Sequence, residues 1–309
     1  MDLPLVTVGV ASFNNAGYLR ETLESIRLQT YTRLELLIVD DASRDDSVMV
    51  AEAWLAEHPE VNGRLIRHTT NLGVCRVCND IITEAQGEFV TIIGSDDVYL
   101  PDKFAIQVPL LQIAPPTVGI LFSPIERMNE AGHPLPDTGE AHHEGQVFMD
   151  LLNVNFISAM GTLMRRSCYE RVGLYDETLA YEDWDMWLRM AREYEFQFSP
   201  RVSARYRIHA GSATFSRRMQ LAESSLQLLE KHIGLVPAAD AIISRHFAAL
   251  SEALYLLGSP RAIHWLAKAW RLGRGKRTLV LLLMARMGIP LSKAHQLNSF
   301  LRRYESTAS

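Results

Sequence analysis

The sequence is poor in cysteine, with only Cys75, Cys78 and Cys168. An odd, small number gives no disulfide framework. Cys75 and Cys78 form a C-x-x-C, but no second pair exists to complete a zinc site, so they read as two small apolar residues on one helix face. Long hydrophobic runs are missing as well. The longest, residues 279–285, falls far short of the roughly 20 residues that span a bilayer. The opening MDLPLVTVGV has no basic n-region, which argues against a signal peptide, and a cytoplasmic protein is expected. The first apolar segment runs into ASFNNAG, which is not the glycine-rich phosphate loop that a sugar nucleotidyltransferase would need. The basic stretches are not interleaved with aromatics, so nucleic acid is not an expected partner.

What is present is an ordinary globular composition: 309 residues, 48% hydrophobic and 22% charged, enough for one large domain and an appendage. The charge is unevenly spread. Residues 217–309 hold 14 Lys+Arg against 5 Asp+Glu, leaving 17 against 31 in residues 1–216. Such asymmetry marks two regions with different partners, here 1–215 and 216–309. Up to residue 93, apolar strand segments (5–11, 34–39, 64–68 and 89–93) alternate with helical periodicities (18–28, 47–57 and 74–85). That alternation means crossover units and a mainly parallel sheet. Pro101 opens another helix, and 118–122, 160–165 and 196–206 read as strands. Residues 127–145, with His133, His142 and His143, read as a long solvated loop over the sheet. From about residue 216 only helices are expected, near 217–233, 238–257, 260–272, 276–287 and 291–304, punctuated by Gly and Pro.

In an open sheet of this kind ligands bind beyond the carboxyl ends of the strands. The first strand ends at Ala11-Ser12-Phe13-Asn14, the second at Asp40-Asp41-Ala42-Ser43 and the fourth at Gly94-Ser95-Asp96-Asp97. One acid before a helix is common capping chemistry. Two acid pairs on one rim repel each other and resist burial. A divalent cation would offset that repulsion, and hard oxygen ligands suit Mg²⁺ or Mn²⁺. Farther on, Glu182-Asp183-Trp184-Asp185-Met186-Trp187 opens a helix. One acid would satisfy the helix dipole, yet three are interleaved with two tryptophans.

Taken in order, these segments resemble the family 2 glycosyltransferases, the inverting group with the GT-A fold, of the bacterial cell-surface polysaccharide type. The resemblance covers about residues 4–213. It is carried by VTVGVASFN at the first strand, by Leu19, Leu23, Ser25-Ile26 and Gln29-Thr30, and by ELLIVDDAS at residues 35–43. Asn71-Leu72-Gly73 with Arg76 and Asn79, then Gly87-Glu88 through Ser95-Asp96-Asp97 to Asp102-Lys103, and the block at 182–188 complete it. Two positions depart: Ala11 stands where the family usually has proline, and Gly94 stands where many members carry a further Asp.

The resemblance implies an α/β, Rossmann-like GT-A domain with a mainly parallel mixed sheet, followed by an all-helical C-terminal appendage. It implies a nucleotide-sugar donor. Ala11 and Phe13 would line its base, and Asp41 would accept the ring N–H of uracil or thymine. Asp96 would meet ribose or sugar hydroxyls, with Arg76 and Arg207 assisting at the diphosphate. Asp97, with His209, would hold Mn²⁺ or Mg²⁺. Asp183 would be the general base, Glu182 its neighbour orienting hydroxyls, and Trp184 a stacking face for a saccharide or lipid-linked acceptor. Trp187 reads as core. The basic cluster Arg271, Arg274, Lys276 and Arg277 before the apolar residues 279–284 fits either an anionic membrane surface or a helical appendage packed on itself or on a second subunit. Two other readings stay open: a nucleotidyltransferase on the same architecture, and a catalytically inactive sugar-binding scaffold.

Overall fold

The computed structural model describes residues 3–136, 142–180, 183–209, 211 and 218–289. The chain divides into two units, Met1–Ala210 and Gly211–Ser309, where the charge distribution and the end of the strand pattern together suggested a boundary after residue 215.

Among its described residues the first unit carries ten strands: β1 (Val6–Ser12), β2 (Leu34–Asp40), β3 (Gly63–Arg67), β4 (Phe89–Gly94), β5 (Val98–Tyr99), β6 (Val118–Phe122), β7 (Ile125–Asn129), β8 (Thr162–Arg165), β9 (Glu195–Phe198) and β10 (Ala204–Ile208). Seven of them form a sheet in the order β3-β2-β1-β4-β8-β6-β9. Its pairs are parallel except those that β8 makes with β4 and β6. β1, β2 and β4 are buried almost throughout, which is why their sequences are continuous β-branched and aliphatic runs rather than alternations. Four helices follow strands in this half: α1 (Ala16–Arg27), α2 (Ser47–Glu57), α3 (Val74–Glu84) and α4 (Lys103–Ile113). α3 closes on β1 over Gly9, where a Cβ would lie 2.3 Å from Ile81 Cγ2.

The register brings the strand ends level. Ser12 lies opposite Asp40 and Ala11 opposite Gly94, so the three polar strand ends share one rim. A second sheet, β5-β10-β7, stands beside it. β10 runs parallel to β7 and antiparallel to β5, with Arg205 opposite Val98. This small sheet delivers residues 207–209 to the acids that end β4. It is also where the sequence reading needs correcting. The stretch read as a loop from 127 begins inside β7, and the single strand read over 196–206 is two strands, β9 and β10, in different sheets. Ser199-Pro200-Arg201 separates them, and proline is a natural break in a ladder.

Lys103 locks α4 to the start of β8. It is 1% exposed, and its Nζ donates to the carbonyls of Met160 (3.0 Å) and Thr162 (3.2 Å). Burial drives its pKa well below the usual lysine value. Among the described residues of the first unit three short helices follow: α5 (Phe148–Asn153), α6 (Ser167–Val172) and α7 (Asp183–Met190).

The second unit contains α8 (Arg218–Glu230), α9 (Asp240–Leu256), α10 (Ala262–Gly273) and α11 (Lys276–Arg286). Tyr255, Ala262, Leu266, Leu281, Leu282 and Met284 form one of its core clusters. Most of the apolar run at 279–285 is therefore used within the unit, and Arg277 is paired with Glu252. Arg271, Arg274, Lys276 and Arg286 are exposed, together with Leu272, Leu283 and Met287. No helix among the described residues is long and apolar enough to cross a membrane.

Candidate active site

The rim is held by hydrogen bonds between strand ends. Asp40 accepts from Ser12 Oγ (3.1 Å), Ser43 Oγ (2.6 Å) and the Ser43 N–H (2.9 Å). Asn14 accepts the Arg44 N–H at 2.7 Å and donates its own N–H to Ser43 Oγ. Asn14 and Ala42 both have φ near the left-handed region, at 53° and 59°, a conformation that asparagine tolerates and alanine resists. Ala11 and Phe13 are partly exposed on this rim, and the Ala11 carbonyl accepts the Ser95 N–H.

At the end of β4 two carboxylates converge over a glycine. A Cβ on Gly94 would lie 2.7 Å from Asp96 Oδ1 and 3.1 Å from Asp97 Oδ2, so both oxygens face the same small space. Asp97 is 2% exposed. Burial first, and the charge of Asp96 second, push its pKa well above the ordinary carboxylate value, against the pull of the Arg207 N–H and guanidinium. That N–H donates to Asp97 Oδ1 at 2.9 Å. His209 Nε2 lies 3.0 Å from Asp96 Oδ2. Among the described residues no three His, Cys, Asp or Glu side chains gather to hold a metal unaided. The donor set would suit a cation whose shell is completed by substrate, since magnesium-type sites commonly use one or two carboxylates plus phosphate oxygens. Two crowded acids over an unfilled glycine fit that description.

Arg207 sits differently from the expectation. It is 2% exposed. Its Nε donates to the Asp96 carbonyl, one terminal nitrogen to the Glu130 carbonyl and the other to Glu21 Oε2 at 2.6 Å. The guanidinium also lies over the Tyr18 ring, 4.9 Å from its centroid. Held by these three bonds and almost fully buried, Arg207 braces the acid loop instead of facing a diphosphate.

Asp41 is 3% exposed. Its Oδ1 accepts from the Leu72 N–H (2.8 Å) and lies 2.7 Å from His68 Nδ1, while Oδ2 accepts the Gly73 N–H at 2.9 Å. His68 Nε2 in turn lies 2.8 Å from Asp80 Oδ2. Arg76, also expected at the diphosphate, gives its Nε to both Asp80 oxygens, at 3.0 and 3.2 Å. It belongs to this network.

Asp183 opens α7 and accepts the Trp184 N–H at 2.6 Å. It keeps some exposure, yet burial of the carboxylate raises its pKa to about 6, opposed by hydrogen bonds from the Trp184 N–H and the Asn155 side chain. The chain leading to it is tied to α3: Asn79 bonds the Tyr175 carbonyl and N–H, and Cys75 Sγ lies 3.5 Å from the Leu179 carbonyl. The start of α3 also donates to Asp41 through the Gly73 N–H, so one helix anchors both Asp41 and the segment 175–179. Glu182 lies outside the described residues. Trp184 corrects its expectation: it is 9% exposed, and its Nε1 donates to the Leu151 carbonyl at 2.7 Å. Its ring is core that fastens α5 to α7, and Trp187 is wholly buried.

Sequence reading missed His68, Asn155, Glu21 and Tyr18. Only His68 had a usable signal, because it directly follows the third strand and the rim rule applies to every parallel strand end.

The model of the family described as Glycosyl transferase family 2 matches residues 7–173, more than half of the chain. The chain belongs to this family. An uncharacterised glycosyltransferase of Rickettsia prowazekii is 27% identical over 227 residues, covering 71% of this chain and 69% of that protein. Among solved structures, the mannosyltransferase PcManGT of Pyrobaculum calidifontis, in complex with GDP-Man and Mn²⁺, superposes with a TM-score of 0.62 at 23% identity, over 97% of this chain and 86% of its own. S. aureus TarS in complex with UDP-GlcNAc gives a TM-score of 0.68 at 18% identity, over 92% and 87% of the two chains. The family 2 transferase thus has the GT-A fold, with C-terminal helices following it.

Proposed function

We propose that the chain is an inverting, metal-dependent glycosyltransferase. It moves a sugar from a UDP- or dTDP-linked donor to a hydroxyl of a saccharide or lipid-linked acceptor, in cell-envelope polysaccharide assembly. The observation that carries the reading is the pair of carboxylate oxygens from Asp96 and Asp97 turned onto the glycine at the end of β4. Two acids so placed call for positive charge between them. The donor complexes of PcManGT and TarS, one with Mn²⁺, support a nucleotide-sugar and a divalent ion in this fold.

Ala11 and Phe13 line the base, and Asp41 takes its ring N–H. A carboxylate acceptor disfavours cytosine, which presents an acceptor at that position. Asp96 receives a ribose or sugar hydroxyl. A divalent cation held by Asp97, with His209 at its edge, would supply fixed positive charge against the leaving nucleoside diphosphate. Asp183 takes the acceptor proton, and Glu182 beside it orients hydroxyls. A base whose pKa is lifted to about 6 is ionised at neutral pH and more basic than an ordinary carboxylate. Attack from the face opposite the leaving group inverts the anomeric carbon. Trp184 and Arg207 serve as supports for these groups.

The test is nucleotide release from donor and acceptor with Mn²⁺, in wild type and Asp183→Asn. Loss of turnover with donor binding kept supports the base assignment, and unchanged turnover removes it. A thermal-shift panel of UDP-, dTDP- and GDP-sugars tests the base pocket. The largest response is expected from UDP or dTDP with metal, and a best response to GDP would overturn the role given to Asp41. The exposed Arg271, Arg274, Lys276 and Arg286 beside Leu272, Leu283 and Met287 support peripheral contact with an anionic membrane through residues 271–287. A homodimer through the same helices is the competing outcome.

A further inference from the structure

His68 is a buried ring between two acids. Its side chain is 8% exposed, with Nδ1 2.7 Å from Asp41 Oδ1 and Nε2 2.8 Å from Asp80 Oδ2. A neutral imidazole offers one N–H and one lone pair, and a lone pair at that distance from a carboxylate oxygen would be repelled. One of the three groups must therefore carry an extra proton. Both Asp80 oxygens already accept from the Arg76 Nε, and the two Asp41 oxygens accept the N–H groups of Leu72 and Gly73. The proton belongs on the ring. Burial alone would lower the His68 pKa, but the hydrogen bonds to Asp41 and Asp80 outweigh it and raise it.

The geometry of Asp41 gives this ring a task. A carboxylate has about four lone-pair positions. Oδ1 is filled by His68 and Leu72 and, among the described residues, Oδ2 by Gly73 alone, which leaves one acceptor position on Oδ2. We propose that His68, as an imidazolium bridging Asp41 and Asp80, is the positioning residue that holds Asp41 with that last acceptor position turned to the base of the donor. The proposal rests on the reading of Asp41 as the base contact. The groups facing His68 are Asp41 from the end of β2 and Asp80 from α3. Behind Asp80 stands Arg76, whose other end is 3.8 Å from Glu177. Along Asp41, His68, Asp80 and Arg76 each negative charge adjoins a positive one, and Glu177 adds a third carboxylate at the far end of Arg76. When the ring loses its proton, one acid faces a lone pair, this alternation fails and Asp41 is released to turn. Donor affinity then falls on the alkaline side, while the proton transfer at Asp183 is untouched.

The experiment measures donor KM and kcat, and the Kd of UDP and dTDP, from about pH 6 to 9.5 in wild type, His68→Gln, Asp80→Asn and Asp41→Asn. In wild type, donor KM should rise above the His68 pKa with kcat flat. Loss of a charge-assisted hydrogen bond is worth about tenfold or more, so His68→Gln should raise donor KM about tenfold, leave kcat within a factor of about two, and abolish the alkaline rise. Asp80→Asn should move that rise to lower pH. A His68→Gln enzyme with wild-type KM, or with the alkaline rise retained, would overturn the proposal. Asp41→Asn separates the two readings. If it weakens donor binding and His68→Gln does not, the positioning role alone is wrong; if neither matters, the Asp41 assignment has failed. Long-range ¹H–¹⁵N spectra of the wild-type imidazoles give a check that needs no variant. A doubly protonated His68 ring at pH 7 is expected, and a neutral tautomer there would contradict the proposal.

Discussion

Asp183 carries the sharpest expectations at the scale of single residues. Its folded pKa of about 6 stands above the ordinary 3.8. In the proposed role of base it acts only when ionised, so kcat/KM should rise with pH through about 6 and then level off. Asp183→Asn should lose about 10²- to 10⁴-fold in kcat with donor Kd unchanged. The same shift has a consequence for stability. Between 3.8 and about 6 the folded chain holds a proton that the unfolded chain releases, so this stabilising contribution, complete below 3.8, is lost as pH rises through that window. Above it the buried charge destabilises, and Asp183→Asn should melt no lower than wild type at pH 7. Ala42, at φ 59°, is a separate case. Ala42→Gly removes left-handed strain of about 1 kcal/mol, and the melting temperature should rise. Trp184→Ala should act mainly through the fold, lowering stability by about 3–5 kcal/mol in denaturant titrations; a raised acceptor KM at unchanged stability would restore the stacking role.

At the scale of elements, β1, β2 and β4 and the helices after them were legible, because strands buried on both faces write their burial as unbroken apolar runs. The rim acids followed, since strand direction fixes which ends meet. The second sheet was not legible. β5 is Val98–Tyr99 alone, and β7 mixes Ile125 and Met128 with Glu126, Arg127 and Asn129, too short and too polar for a period-two signal. Arg207 was misread for the same reason. Without the β10 pairing nothing in the sequence says that its guanidinium turns to Glu21 and the Asp96 carbonyl. Trp184 and Trp187 share an ambiguity intrinsic to sequence, because helical spacing of aromatics describes a core and a binding face equally well. The bracing role of β10 has its own expectation. Arg207→Ala should raise amide exchange in residues 96–99 and 204–209 while leaving β1 and β2 protected, and uniform exchange across the sheet would contradict it.

For the molecule as a whole, the uneven charge falls on two structural units. The apolar run at 279–285 could not be assigned from sequence, since a packed helix and an interfacial one share that composition. The structure uses Leu281, Leu282 and Met284 in a core cluster of the second unit and leaves Leu283 and Met287 outside with the arginines. Co-sedimentation of the full chain with vesicles should therefore need anionic lipid, weaken with salt, and fall when Arg271, Arg274 and Lys276 are changed to alanine. Equal binding to neutral vesicles would contradict peripheral contact of this kind, and a concentration-dependent dimer lost in the same variant would favour the subunit interface.

The central claim is that the acids ending β4 and the carboxylate opening α7 face one bound nucleotide sugar. A crystal structure with Mn²⁺ and a UDP- or dTDP-sugar tests it directly. The cation should lie within about 2.0–2.4 Å of a carboxylate oxygen of Asp97, bridging to the diphosphate, with Asp183 on the side of the anomeric carbon away from the leaving group. An empty rim at saturating ligand, or Asp183 remote from the sugar, would contradict the account.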